Sequence, residues 1–289
     1  WRAIARIDMH RRGYQLHVLH EYRMPPRAVQ QTTKFIAECK DYEALRLACG
    51  ISGARMALVP LAAEVLARLV KTFRPKDIAL SSYGIREGML YEQMPQQLRD
   101  RDPLIEACRF AEAKDARLPG FGKVLFDFIE PLFKSAPYAR KRLIKAACLL
   151  HDVSWRAHPD YRAEACFDNA TRANLGGLKH SERIFLGLAL LHRYRNRREG
   201  THFEYLYDLI DEKTQVEAEV LGKAMRFGAM LWMEKDADRG EMRWFPKKKL
   251  LELRLTPDAM PLFGEVAQAR LNSLAAALNA EVVVKARRR

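Results

Sequence analysis

Between residues 103 and 235 almost every stretch reads as helix, and this succession is what most restricts the architecture. The segments "PLIEACRFAEAK", "GKVLFDFIEPLF", "ARKRLIKAACLLHDV", "AEACFDNATRANL", "HSERIFLGLALLHRYR" and "VEAEVLGKAMRFGAMLWMEK" each place apolar residues at helical spacing, with short breaks between them. Amphipathic helices joined by short loops must bury their apolar faces on one another, so the pattern predicts a compact all-helical domain over 99–240. Its start is marked by the polar "RDRDP" at 99–103. After it, "KLLELRLT" (249–256) and "AEVVVKA" (280–286) read as strands around the amphipathic helix of "LFGEVAQARLNSLAAALN", which predicts a small β-α-β domain over 241–289.

The first 98 residues have a different texture. "WRAIARIDMH" and "YQLHVLHEYRM" read as two strands joined by the turn "RRG". Residues 25–49 read as helical, and "GARMALVPLAAEVLARLVKTF" predicts a helix with Leu61, Val65, Leu66, Leu69 and Val70 on one face. "DIALSSYG" then reads as a short buried strand and "GMLYEQM" as a further strand or turn. The expectation for 1–98 is therefore a helix packed on a mixed sheet, and for the whole chain an α+β fold.

Composition narrows the partners. At 48% hydrophobic and 30% charged the chain is an ordinary globular sequence, with no apolar run near the roughly 20 residues of a membrane span and no signal-peptide core, which predicts a cytoplasmic protein. Its five cysteines, Cys39, Cys49, Cys108, Cys148 and Cys166, include no C-x-x-C pair, so neither a disulfide framework nor a zinc ribbon is expected. The net charge of +14 predicts a polyanionic partner: nucleic acid, a phosphate-rich small molecule or a phosphate polymer. The basic residues concentrate in "RKRLIK" (140–145), "HRYRNRR" (192–198), "PKKK" (246–249) and "KARRR" (285–289), runs that serve equally well as solvated faces.

Two short strings carry possible chemistry. In "SSYGIREG" (81–88), Gly84 and Gly88 let backbone come close to a ligand and Arg86 offers a planar fork of donors suited to phosphate; the same string also fits a surface turn with an ion pair. In "LLHDVSW", His151 and Asp152 stand side by side at the end of an apolar run, which suits either half of a divalent-metal site or the polar end of a buried helix.

Three features in order, "WRAIARIDM", "SYGIREGML" and "LLHDVSWRAHPDY...HSERIFLGLALLHRYR", resemble the exopolyphosphatase / guanosine pentaphosphate phosphatase (Ppx/GppA) family; the second resembles its Gly-Leu-Arg-Glu-Gly loop with isoleucine for leucine, and the third its helical domain related to the HD hydrolases. The resemblance implies an actin-like (ribonuclease H-like) α/β lobe over 1–98, an HD-like domain over 99–240 and the small tail. It implies hydrolysis of a terminal phosphoanhydride of polyphosphate or of guanosine pentaphosphate, with Mg2+ assisting, in a homodimer. The family's Asp-x-Gly-Ser and Asp-x-Gly-Gly-Gly-Ser phosphate loops do not occur in this sequence. The expectation is thus a C-terminal portion that contains no catalytic residue, is inactive alone, and has both the general base and Mg2+ in a preceding lobe.

Within this chain the resemblance assigns phosphate contact to Gly84, Arg86, Glu87 and Gly88, with Glu87 a structural partner and not the base. Arg140, Lys141, Arg142, Arg193, Arg195, Arg197 and Arg198 are the expected track for a phosphate polymer, with polyphosphate favoured over nucleic acid as partner. A working HD site needs an upstream histidine, yet none lies between His20 and His151, and Ala229 stands where a later aspartate would be. Despite His158, His180 and His192 downstream, the expectation is a buried neutral His151 bonded to Asp152 or a backbone carbonyl, with no metal; His151, Asp152 and His192 are ligands only if that site is intact. Trp155 and His158 are expected to cap a helix or line a groove. Other readings are a metal-dependent HD nucleotide phosphohydrolase and a non-catalytic polyanion-binding module.

Overall fold

The computed structural model describes residues 1–232 and 234–287. They form an α+β, helix-rich protein in two compact units that meet in sequence between Asp100 and Arg101.

The first unit contains α1 (Arg2–Arg11), β1 (Arg23–Met24), α2 (Pro26–Ala37), α3 (Tyr42–Ala48), α4 (Gly53–Met56), α5 (Val59–Phe73), β2 (Ile78–Ala79), α6 (Ile85–Gln93) and α7 (Gln96–Arg99). Four sequence expectations are corrected here. Residues 2–11 are a helix and not a strand, because helical spacing puts Ile4, Ile7 and Asp8 on one buried face where alternation would have turned Ile4 and Asp8 outward. Asp8 is fully buried and accepts hydrogen bonds from Thr32 Oγ1 (2.6 Å) and Tyr22 Oη (2.6 Å), which ties α1 to α2 and to the chain before β1. Burial alone would raise its pKa, but the bonds from Thr32, Tyr22 and Arg11 outweigh burial and hold the carboxyl below its usual value.

The expected mixed sheet is reduced to an antiparallel ladder of two residues per strand, Arg23 opposite Ala79 and Met24 opposite Ile78. The helices therefore pack mainly on each other, α5 against α2. Between Gly13 and Glu21, both at positive φ, the chain forms no regular strand. Along α5 the buried face is Val59, Ala63, Leu66 and Val70, while Leu61, Val65 and Leu69 of the expected face point outward. Both sides of this helix are apolar, so the pattern alone did not distinguish them. Finally, "GMLYEQM" lies in α6, a helix with no buried residue.

The second unit holds α8 (Pro103–Asp115), α9 (Phe121–Ile129), α10 (Tyr138–Leu150), α11 (Pro159–Arg172), α12 (His180–His192), α13 (Glu204–Tyr207) and α14 (Glu212–Leu231), then β3 (Gly240–Phe245), β4 (Leu250–Leu255), α15 (Glu265–Leu278) and β5 (Glu281–Ala286). Helix starts follow their caps: Asp102 accepts from Leu104 N ahead of Pro103, and Asp211 accepts from Thr214 N at 2.7 Å. The middle helix is α12, buried almost all round and packed on α10, α11 and α14. Its approach to α14 needs a glycine: a Cβ on Gly222 would collide with Ala189 O and with His192 Cβ.

In the tail, β4 and β5 are parallel across α15, as the β-α-β reading expects, while β3 adds an antiparallel strand that the sequence did not announce. The tail joins the helices in one unit, because α15 packs on α14 and β3 on α9 and on the turn at Glu130–Phe133, burying Met242, Leu253 and Leu271. No helix among the described residues is long and apolar enough to cross a membrane.

Candidate functional site

The loop 81–88 is built around the start of α6. Arg2 reaches from α1 to the carbonyls of Ser81 (3.3 Å) and Ser82 (2.8 Å), and His20 Nδ1 accepts from Ser82 N while its ring meets Tyr83 edge-on. Gly84 is the N-cap, and its amide donates to Glu87 Oε2 at 2.6 Å. That bond, with help from the amide of Glu87 itself, holds the Glu87 carboxyl below its usual pKa, so it sits ionised at the positive end of the helix. Arg86 is exposed and makes no hydrogen bond or ion pair within 4 Å among the described residues, and nothing lies within 4 Å of where a Gly88 Cβ would be. The exposed Arg86 guanidinium and the open backbone at Gly88 thus stand beside a helix terminus whose cap is the Glu87 carboxylate. Beside it opens a mostly apolar hollow of about 1080 Å³, whose lining includes Arg2, Leu58, Leu66, Leu69 and Ile85.

The His-Asp pair has the opposite character. His151, at the end of α10, is 4% exposed, its Nδ1 lies 2.8 Å from Cys148 O, and Phe121 meets its ring edge-on. Burial, aided by the charge of Arg193, pushes its pKa down to about 4, so it is neutral. Asp152 is gripped by Arg117 through Nε (2.8 Å), Nη2 (2.5 Å) and the backbone amide (3.2 Å), and Tyr194 Oη donates to the same carboxylate at 3.3 Å. Burial raises the Asp152 pKa, but Arg117 more than offsets it and leaves the group below its usual value. Trp155 donates to Asp115 O, and His158 caps α11 by accepting from Asp160 N. The described residues hold no group of three or more His, Cys, Asp and Glu side chains able to bind a metal ion. His192, at the end of α12, is 1% exposed and is likewise held neutral by burial, its pKa pushed down to about 4.

The expected track divides by partner. Arg140 pairs with Glu217 at 3.4 Å and lies over the Phe185 ring, Lys141 pairs with Glu130 at 2.5 Å, and Arg142 holds Asp102 and Gly177 O. Arg195 pairs with Glu164 at 3.6 Å and Arg198 with Glu212 at 2.9 Å. Arg197 is exposed and has no ion pair among the described residues, and Arg193 lies half-buried over the Tyr194 ring. In the basic tail, Arg287 pairs with Asp238, while residues 288 and 289 lie outside the described residues. The sequence reading passed over Arg226 and Arg270, which share the neighbourhood of Arg193; the available signal was an arginine set within the apolar run "AMRFGAMLW".

The exposed Arg86 at a helix terminus lies in one unit and the arginine-rich helices in the other. The model of the Ppx/GppA phosphatase family matches residues 1–97, and that of the exopolyphosphatase C-terminal region matches residues 134–283. The chain belongs to the Ppx/GppA phosphatase family. It is also similar to retrograde regulation protein 2 of Saccharomyces cerevisiae, 27% identical over 143 residues, which is 46% of this chain and 23% of that protein. The chain thus spans about a quarter of the length of this curated relative.

Proposed function

We propose that the natural protein is an exopolyphosphatase. Water attacks the terminal phosphorus of inorganic polyphosphate, the bond to the bridging oxygen breaks, and the shortened chain leaves with the electron pair as orthophosphate is released. This chemistry needs positioning and charge neutralisation more than covalent assistance. The observation that carries the reading is Arg86, exposed on the first turn of α6 within the matched family segment. Here it neutralises charge on the terminal phosphates, while Gly88 leaves the approach open. Glu87 is a positioning residue, since its carboxylate is committed to the Gly84 amide, and the water-activating base lies outside these residues. The charge of +14 favours a polymer over guanosine pentaphosphate, because a polymer meets basic surface along its whole length.

The test is phosphate release by the natural protein from polyphosphates of graded length and from guanosine pentaphosphate. The expected result is a kcat/KM that rises with chain length and falls steeply with salt. A higher kcat/KM for guanosine pentaphosphate would overturn the choice of substrate. Robust release by the 289-residue chain alone would overturn the placement of the base.

A further inference from the structure

We infer that the edge strand β5 docks the β5 of a second copy of this chain, antiparallel and in one register, with the two-fold axis at Val283. The tail sheet runs β3-β4-β5, so β5 has β4 on one side and no strand on the other among the described residues. Its parallel pairing fixes which backbone groups face each way. Glu281 N donates to Lys249 O at 2.8 Å and Arg287 N to Leu255 O at 2.7 Å, so residues 281, 283, 285 and 287 turn their backbone to β4. Alternation along the ladder then points the amides and carbonyls of Val282, Val284 and Ala286 to the open side. No partner for them occurs among the described residues. The centre of this edge also lacks the features that usually protect one: Val282, Val283 and Val284 are all partly exposed, uninterrupted by proline, charge or bulge. β3, the other outer strand, packs against α9 and the turn at Glu130–Phe133.

The order of side chains selects the occupant. Residues 281–285 read Glu-Val-Val-Val-Lys, a string that complements itself when two copies run antiparallel. Centred on Val283, the pairing sets Val282 opposite the second copy's Val284, and these outward-facing residues exchange N–H and C=O bonds. Glu281 then stands opposite the second copy's Lys285, and Val283 opposite its own counterpart, at the positions where cross-strand side chains lie closest. Glu281 is exposed and has no ion pair among the described residues, while Lys285 shares the single carboxylate of Glu252 with Arg254. Each copy thus brings an unpaired acid and a cation that shares its counter-ion, and the two-fold axis matches them twice. On the opposite face, Val282 and Val284 line a hollow of about 510 Å³ with Gln268, Asn272, Ala275 and Ala276 of α15. The second copy's Val282 and Val284 cover that hollow, and the small side chains at 275 and 276 leave room for its α15.

The test is sedimentation of the 289-residue chain over a range of concentrations, for the wild type, Glu281→Lys and Lys285→Glu. The wild type is expected to dimerise with a Kd below about 100 μM, as suits a small interface. Each variant alone sets like charges opposite each other, and its Kd is expected to rise at least about tenfold. An equimolar mixture of the two variants restores opposite charges at both positions and is expected to return close to the wild-type Kd. Oxidation of Val283→Cys is expected to link two copies, because directly opposed residues lie within disulfide reach, whereas Glu281→Cys is expected not to link to itself. That readout decides the matter should a charge variant not fold. A wild type that stays monomeric would overturn the inference and leave the edge to a strand of another protein. So would a dimer unmoved by either charge variant, a mixture no tighter than its components, or a Val283→Cys that links no better than Glu281→Cys.

Discussion

The two strings that the sequence offers for chemistry, "SYGIREG" and "LLHDVSW", end in opposite conditions. Arg86 stands in solvent with its donors available, whereas Asp152 is 4% exposed and engaged by Arg117 and Tyr194. His151 is neutral and turned to a backbone carbonyl. A ligand needs groups whose bonding capacity is unfilled and reachable, and only the first string offers that. The second joins α10 to the loop before α9 and to Tyr194, which is structural work.

This contrast breaks most readily at Arg117. Replacing it with methionine strands a buried carboxylate, and the expected loss of stability is about 2–3 kcal/mol, below the range for a fully buried pair because Arg117 itself is half-exposed. A urea midpoint unchanged from the wild type would show that Asp152 is satisfied otherwise. The neutral histidines give a smaller effect. Their folded pKa of about 4 lies below the ordinary value near 6.5, so the unfolded chain takes up protons first as pH falls. Stability contributed by His151 and His192 is therefore present above about pH 6.5 and lost between there and about pH 4. The urea midpoint should drop from pH 7 to pH 5, and less so when both are glutamine; a flat profile in the wild type would contradict their burial. Smallest is Glu87→Gln, which weakens the cap of an exposed helix. Amide exchange in residues 85–88 should speed up with global stability unchanged, and a fall in the global melting temperature would show that α6 is held by more than its cap.

The helices of the second unit and the β-α-β tail were legible in the sequence because each has one or more faces that must be buried, and periodicity records that demand. The first unit was less so. α6 buries nothing, leaving no periodic demand to read, and α1 carries apolar residues at both alternate and helical spacing until Tyr22 and Thr32 settle the matter by binding Asp8. Of the candidate site, the Arg-Glu-Gly loop was visible as a local string. The Arg117 and Asp152 pair, 35 residues apart, depends on tertiary packing that spacing does not encode.

The most direct measurement of the contrast compares Arg86→Ala with Asp152→Asn in the natural protein, following kcat for phosphate release from polyphosphate together with the melting temperature. Arg86→Ala should lower kcat by about 100-fold or more and leave the melting temperature in place. Asp152→Asn should lower the melting temperature and leave kcat within a few-fold. The reverse pattern, a stable but inactive Asp152→Asn beside an active Arg86→Ala, would place the chemistry at the His-Asp pair and contradict the account.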